Sequence, residues 1–252
     1  MTARVICVAN RKGGVGKTTT AVNLAAELGG RGRRVLVVDL DTQAHASLGL
    51  GVVAGRNDFG AHAVFRQSNC DLEPAIRPGS ARGVDVLPPE REFQVHDSIN
   101  EPLRLARALK PLAGRYDDIV IDTSPAIDVV MVSALAAADS LLIPTQLQHL
   151  AYDGVARFSR VLFKVTTMLN RGLVEFAVVP IQVDLRVNLQ SLVLEKLLGE
   201  FGRNRVFPGI RVDIALAEAF GAGSAVRDYK PHSRGAADYA FLADDILAHW
   251  NA

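Results

Sequence analysis

Apolar positions along this chain gather into short continuous runs, and between them lie segments where apolar residues recur every three to four positions. That alternation is expected of buried strands joined by crossover helices. Residues 4–9 (Arg-Val-Ile-Cys-Val-Ala) read as the first strand, and Ala21, Leu24, Ala25 and Leu28 mark the helix that follows the glycine-rich stretch 10–20. The run Gly29-Gly30-Arg31-Gly32 stops that helix, and residues 34–39 (Arg-Val-Leu-Val-Val-Asp) form a second strand. Residues 49–89 are the least regular part, with a short helix expected around 61–67 and a strand at 84–87. Helices are expected over 100–112, 127–138, 151–169, 188–201 and 235–250. Strands are expected over 119–122, 140–144 and 174–180, with a shorter one near Val206, and 213–220 is left as a segment of unassigned type. Such a pattern predicts an α/β fold with a mostly parallel, twisted central sheet flanked by helices on both faces. No repeat, low-complexity tract or linker interrupts it, so one domain over 1–252 is expected.

Bulk properties narrow the setting rather than the chemistry. The 252 residues are 49% hydrophobic but only 6% aromatic, so Ala, Val, Leu and Ile must build the core. A formal net charge of +1 announces neither a nucleic-acid nor a membrane partner. Cys7 and Cys70 offer no disulfide framework and no metal-ligand spacing, which suits a reducing cytoplasm. No apolar h-region precedes the first strand, and the most apolar stretch, 129–144, is interrupted by Asp139 and Ser140. A cytoplasmic protein without stable membrane association is expected.

The chemistry sits in Asn10-Arg-Lys-Gly-Gly-Val-Gly-Lys-Thr-Thr-Thr20. A strand, a glycine loop and a helix in that order make a phosphate cradle. Glycines let backbone N–H groups turn towards one anion, and the helix start adds its partial positive charge. Lys17 then reaches the β- and γ-phosphates, and the Thr18 hydroxyl ligates Mg²⁺. The ordinary pattern has glycine five residues before Gly16, where this chain has Arg11, and a second lysine, Lys12, precedes the glycine pair. Asp39 and Asp41 follow the second strand, where open α/β sheets place their ligands. They suit a metal shell and an attacking water, the plain alternative being one helix-capping and one solvated carboxylate. Asp122 ends a third apolar run, the arrangement of a Walker B aspartate.

Taken together, Lys12-Gly-Gly-Val-Gly-Lys-Thr-Thr19 resembles the deviant Walker A motif of the ParA/MinD group of P-loop ATPases. Asp39-Leu-Asp-Thr-Gln43 resembles its Walker A′ segment and Ile119-Val-Ile-Asp122 its Walker B. The likeness continues through Ala137-Ala-Asp-Ser-Leu-Leu-Ile-Pro144, Leu216-Ala-Glu-Ala219 and Tyr229-Lys-Pro-His-Ser-Arg-Gly-Ala236, and is strongest to the short, Soj-like ParA partition proteins. It implies an ATP- and Mg²⁺-dependent switch between a monomer and a face-to-face homodimer, in which Lys12 reaches the partner's nucleotide and stabilises the transferring phosphoryl group. It implies that Gly13, Gly14, Val15, Gly16, Lys17, Thr18 and Thr19 hold the nucleotide and that Asp41 positions the water. Thr18, Asp39 and Asp122 then serve the metal, and Asp184 and Arg186 lie near the base and the interface.

This chain also departs from the family pattern. Thr42-Gln43-Ala44-His45 replaces most of the usual Pro-Gln-Gly-Asn, and His45 reads as a surface residue of the switch loop, since Asp41 fills the water-positioning role. Ser124-Pro125 replaces Pro-Pro. Arg211-Val-Asp-Ile-Ala215 is poorer in arginine than its counterparts, and His232 stands where lysine is frequent. Arg203, Arg205, Arg211, Arg227, Lys230 and Arg234 remain candidates for non-specific DNA binding, against the alternative of a solvated basic face. The resemblance implies a weak ATPase stimulated by a ParB-like or cargo-adaptor protein and acting at the nucleoid on DNA or a large protein assembly. Two other readings stand beside it. A MinD-like membrane-associated ATPase needs a basic amphipathic tail, whereas 241–252 carries two acids and no Lys or Arg. A metallocluster carrier needs Cys-x-x-Cys ligands, which Cys7 and Cys70 do not supply.

Overall fold

The computed structural model describes residues 3–67, 70–149 and 151–250. Eight strands form one sheet: β1 (Arg4–Val8), β2 (Val35–Asp39), β3 (Arg77–Pro78), β4 (Val84–Leu87), β5 (Asp118–Asp122), β6 (Ser140–Gln146), β7 (Glu175–Val183) and β8 (Ile210–Arg211). Their spatial order is β3-β4-β2-β5-β1-β6-β7-β8, and every pairing is parallel except β3 with β4. The helices are α1 (Lys17–Gly30), α2 (His45–Gly49), α3 (Arg104–Leu109), α4 (Val129–Ala137), α5 (Ala151–Met168), α6 (Asn188–Phe201), α7 (Ala215–Gly221), α8 (Val226–Tyr229) and α9 (Arg234–His249).

The apolar runs are continuous because both sheet faces are covered. Ile6, Val8, Val35, Val37, Val120 and Leu142 pack on one side with Leu24 and Leu28 of α1 and Tyr239, Leu242 and Ile246 of α9. Cys7, Leu36, Val38, Ile119, Ile121 and Leu141 point the other way, against Leu105 of α3, Ala134 of α4 and Phe158 of α5. Successive residues of one strand thus serve two cores, the period-two rule of a strand buried on both faces. Burying each of these aliphatic side chains contributes about 1.5–3 kcal/mol against leaving it in water.

Strand order builds the site. The sequence places β1 and β2 one after the other, but β5 lies between them. Val8, Asp122 and Asp39 therefore stand side by side in register at the C-terminal ends of three neighbouring strands.

Several expected elements are adjusted. The helix expected over 100–112 is confined to Arg104–Leu109, with Pro102 before it and Pro111 just after. Val206 makes a single bridge to Val178, and the strand beyond β7 is Ile210–Arg211. The segment 213–220 contains α7, and the short helix around 61–67 is a 3₁₀ turn at Ala61–Phe65. The expected C-terminal helix is α9, while Asn251 and Ala252 of the tail lie outside the described residues. No described helix is long and apolar enough to cross a membrane.

Candidate functional site

The loop between β1 and α1 is fastened at its start and open at its crown. Asn10 donates through Nδ2 to the Pro144 carbonyl at 2.8 Å and accepts from the Lys12 N–H at 3.2 Å, tying the loop to β6. Gly14 and Gly16 take φ of 70° and 74°, left-handed backbone that glycine adopts without steric cost. A Cβ on Gly16 would also fall 2.7 Å from Ile181 Cδ1. Gly16 precedes α1 with no side-chain cap, so the first N–H groups of the helix are left for an anion. Gly13, Gly14, Gly16, Lys17, Thr18 and Thr19 line a cleft of about 670 Å³, and Val15 is buried beneath it.

Two lysines approach this cradle in different ways. Lys17 is buried, and its Nζ donates to the Lys12 carbonyl at 3.3 Å. Burial lowers its pKa, and the charges of Asp122 and Asp41 oppose that fall. Lys12 is exposed and is not among the residues lining the cleft; its Nζ donates to Gln148 Oε1 and, at 3.5 Å, to Gln146 Oε1. Gln146 in turn donates to Gln182 Oε1 at 2.8 Å. No feature of 140–150 had singled out these glutamines as the seat of Lys12.

The acids divide the work unequally. Thr18 Oγ1 donates to Asp122 Oδ2 at 2.8 Å, while Asp122 Oδ1 is buried with no hydrogen-bond partner. An orphaned carboxylate oxygen beside a threonine hydroxyl fits a divalent cation. Asp39, expected beside it at the metal, has its oxygens occupied within the chain. Its Oδ2 accepts from the Ser47 N–H at 2.8 Å and the Ser47 hydroxyl at 2.7 Å, and its Oδ1 accepts from the Asp41 N–H at 3.1 Å. Through Ser47, Asp39 fastens the first turn of α2, whose N-cap position is Ala44. Burial raises the pKa of both carboxyls, and for Asp122 the neighbouring Asp39 adds to the rise. Asp41 is half-buried, lines the cleft, and accepts the Gln43 N–H at 3.0 Å. His45 lines the same wall, its ring edge-on to Phe220 with centroids 6.0 Å apart.

The cleft is also lined by Ile181 and Gln182 near the end of β7, Val212 and Asp213 after β8, and Leu216 and Phe220 of α7. The sequence had marked 211–215 and 216–219 by their likeness to the family pattern, but did not assign any of these six to the nucleotide cleft, which the sheet order assembles. Asp184 and Arg186 are not among the residues lining the cleft. They pair with each other, Nε to Oδ1 at 2.8 Å and Nη2 to Oδ2 at 2.7 Å, and this holds the Asp184 pKa down to about 2.

The six basic candidates separate into two groups. Arg211, a candidate DNA contact that also lines the cleft, forms a bidentate pair with Asp238, its Nη2 donating at 2.7 Å, and its side chain stays half-exposed. Arg227 donates to Glu27 Oε2 at 3.1 Å and to the Ala26 carbonyl at 3.2 Å, near the end of α1. These bonds hold the partly exposed Arg227 side chain against the end of α1. Arg203, Arg205, Lys230 and Arg234 are exposed, with Arg205 4.6 Å above the Phe176 ring.

The family model described as an AAA domain matches residues 3–174. The chain is 34% identical over 249 residues to the chromosome partitioning protein ParA of Myxococcus xanthus, covering 97% of this chain and 88% of that one. It is 34% identical over 252 residues to the sporulation initiation inhibitor protein Soj of Bacillus subtilis, covering 98% and 99%. Its backbone matches that of cobyrinic acid a,c-diamide synthase from Mycobacterium smegmatis, solved with an ATP analogue and magnesium, at a TM-score of 0.82 and 30% identity, covering 98% and 96%. With its glycine loop, paired lysines and strand-end acids in this arrangement, the chain belongs to the ParA/MinD family of P-loop ATPases, among its Soj-like members.

Proposed function

We propose that this protein hydrolyses ATP to ADP and phosphate and switches between a monomer and an ATP-bound sandwich dimer to position cargo over the nucleoid. The observation that carries the reading is the unpartnered Asp122 Oδ1 beside Thr18, at the foot of a cradle served by Lys17. Among the described residues no group of three His, Cys, Asp or Glu side chains is placed to hold a metal alone. Mg²⁺ would therefore be held by Thr18, Asp122 and the nucleotide's own phosphates, and when bound it would offset phosphate charge. The loop N–H groups and Lys17 bind the β- and γ-phosphates, Thr19 lies beside the α-phosphate, and Asp41 orients the attacking water.

Lys12 is suited to a second nucleotide. Its exposed ammonium rests on neutral amide oxygens. A triphosphate across a dimer interface would outcompete those amides electrostatically. The sandwich would thus depend on the γ-phosphate and loosen once hydrolysis releases it.

DNA or a large protein assembly is the cargo class, and a ParB-like or adaptor protein is the partner expected to stimulate turnover. Arg203, Arg205, Lys230 and Arg234 are the DNA contacts that the ion pairs leave available. The decisive experiment is sizing Asp41→Ala with and without ATP and Mg²⁺. A dimer that persists with ATP is expected, and a monomer under both conditions overturns the sandwich. Retention on non-specific DNA should require ATP and weaken as salt rises. Absence of retention at low salt would leave a positioning ATPase that does not use DNA.

A further inference from the structure

Behind the acid-bearing loop lies a histidine that this reading leaves unused, held in one defined state. His62, in the 3₁₀ turn after Gly60, is 1% exposed. Its Nδ1 accepts from the Glu90 N–H at 3.1 Å, which leaves the ring proton on Nε2. Nε2 donates to the Leu40 carbonyl at 3.3 Å. The ring stacks on Phe93, with centroids 4.4 Å apart and planes at 21°, and Phe65 closes another side at 6.2 Å. Burial pushes its pKa down to about 4, and the neighbouring Arg66, itself paired with Glu90, acts in the same direction. The ring is therefore neutral throughout the physiological range, with one donor and one acceptor.

What it holds is the peptide unit that introduces Asp41. The Leu40 carbonyl and the Asp41 N–H are opposite ends of one planar group. Its oxygen accepts from His62, and its hydrogen is donated to Asp39 Oδ1 at 3.1 Å. The preceding Leu40 N–H donates to the Asp122 carbonyl at 3.0 Å. Rotating this plane would break both bonds and swing the Asp41 side chain within the cleft. We propose that His62 is a positioning residue for hydrolysis, fixing the Leu40–Asp41 peptide and through it the place of the Asp41 carboxylate.

The proposal rests on the ATPase reading for its functional half, and its structural half is testable without turnover. His62→Gln sets an amide donor and acceptor at nearly the spacing of the two ring nitrogens, whereas His62→Asn is too short to reach Leu40 while keeping a group near Glu90. In nucleotide-free protein, amide exchange at Asp41 should quicken roughly tenfold in His62→Asn and stay near wild type in His62→Gln, with β1 and β5 unchanged in both. A small displacement of a water-positioning group is expected to lower kcat by about tenfold or more in His62→Asn. KM and the affinity for a fluorescent ATP analogue should stay within about twofold of wild type, with His62→Gln near wild type in all three.

Exchange that rises equally at β1, β5 and Asp41 would make His62 a general core residue and overturn the proposal. So would unchanged exchange and unchanged kcat in His62→Asn, or a parallel loss of analogue binding and turnover. A wild-type protein without ATPase activity would instead defeat the functional reading, leaving the exchange result to decide whether His62 holds the peptide.

Discussion

The two ends of β5 carry the same residue in opposite circumstances. Asp118 opens the strand and Asp122 closes it, and neither has exposed surface. At the first end Asp118 Oδ1 accepts from Arg4 Nε at 2.9 Å and Oδ2 from Arg33 Nε. Arg4 also donates to the Trp250 carbonyl at 2.6 Å, tying the end of α9 to the sheet. At the second end Asp122 has one hydroxyl donor, one orphaned oxygen, and another buried carboxylate as its neighbour across the ladder. Desolvation is suffered at both ends, but only Asp118 has both oxygens bonded directly to guanidinium groups, whereas Asp122 has the buried Lys17 nearby and one oxygen unpartnered. The N-terminal edge of the sheet is thus finished as structure. At the C-terminal edge Lys17 supplies part of the charge and the unpartnered Asp122 Oδ1 leaves room for a metal ion to supply more.

The comparison breaks most visibly if the two aspartates are exchanged as targets. Asp118→Ala strands the buried Arg4 guanidinium, and loss of about 3–5 kcal/mol of stability is expected, read by urea denaturation. ATP affinity per folded molecule should hardly move. An Asp118→Ala protein as stable as wild type would mean that the lower edge is not a structural clasp. Asp122→Asn should give the reverse pattern, with Mg²⁺-dependent hydrolysis falling by about 10²–10³ and stability without nucleotide maintained or raised. Equal loss of stability in both variants would erase the distinction between the ends.

Between those extremes, Lys17→Ala tests which positive charge the upper edge depends on. Lys17 is buried and already bonded inside the loop, so its removal should abolish ATP binding at concentrations near the wild-type Kd. Lys12→Ala should retain ATP binding while turnover drops, because Lys12 is exposed and does not line the cleft. Undiminished turnover in Lys12→Ala would refute its role on a second nucleotide.

The upper edge was readable in the sequence wherever its signal is local. Gly13 to Thr19 announce a phosphate loop through glycines in a strand-to-helix context, and Asp39, Asp41 and Asp122 each end an apolar run. What could not be read depends on distance along the chain. Val212, Asp213 and Leu216 close the cleft only because β8 lies at the sheet edge beside β7. Arg227 looks like a free cation until Glu27, 200 positions away, is brought to it. His62 carries no local signature, since its meaning comes from Leu40 on one side and Glu90 on the other. The edge strand β3 is two residues long and includes Pro78, too short and too atypical for a strand pattern.

The finest test of the comparison is the dependence of stability on pH. Burial raises the pKa of Asp122, with Asp39 adding to it, and burial likewise raises that of Asp39. A carboxyl whose folded pKa lies above its unfolded value binds more protons when folded, between those two values. Its contribution is therefore fully present below the ordinary carboxylate range near 4 and is lost as pH rises through the folded value. Acidification from neutral pH towards that range should thus favour the folded, nucleotide-free protein at this edge, the opposite of a salt-bridged aspartate. His62, Asp117 and Asp184 also titrate, so the informative quantity is the difference between wild type and Asp122→Asn. As pH falls from 7 to 5 the wild type should gain stability relative to the variant, by no more than about 1.4 kcal/mol per pH unit, the slope one proton's linkage allows. A difference of zero, or one of opposite sign, would mean that Asp122 meets its compensating charge within the chain, as Asp118 does.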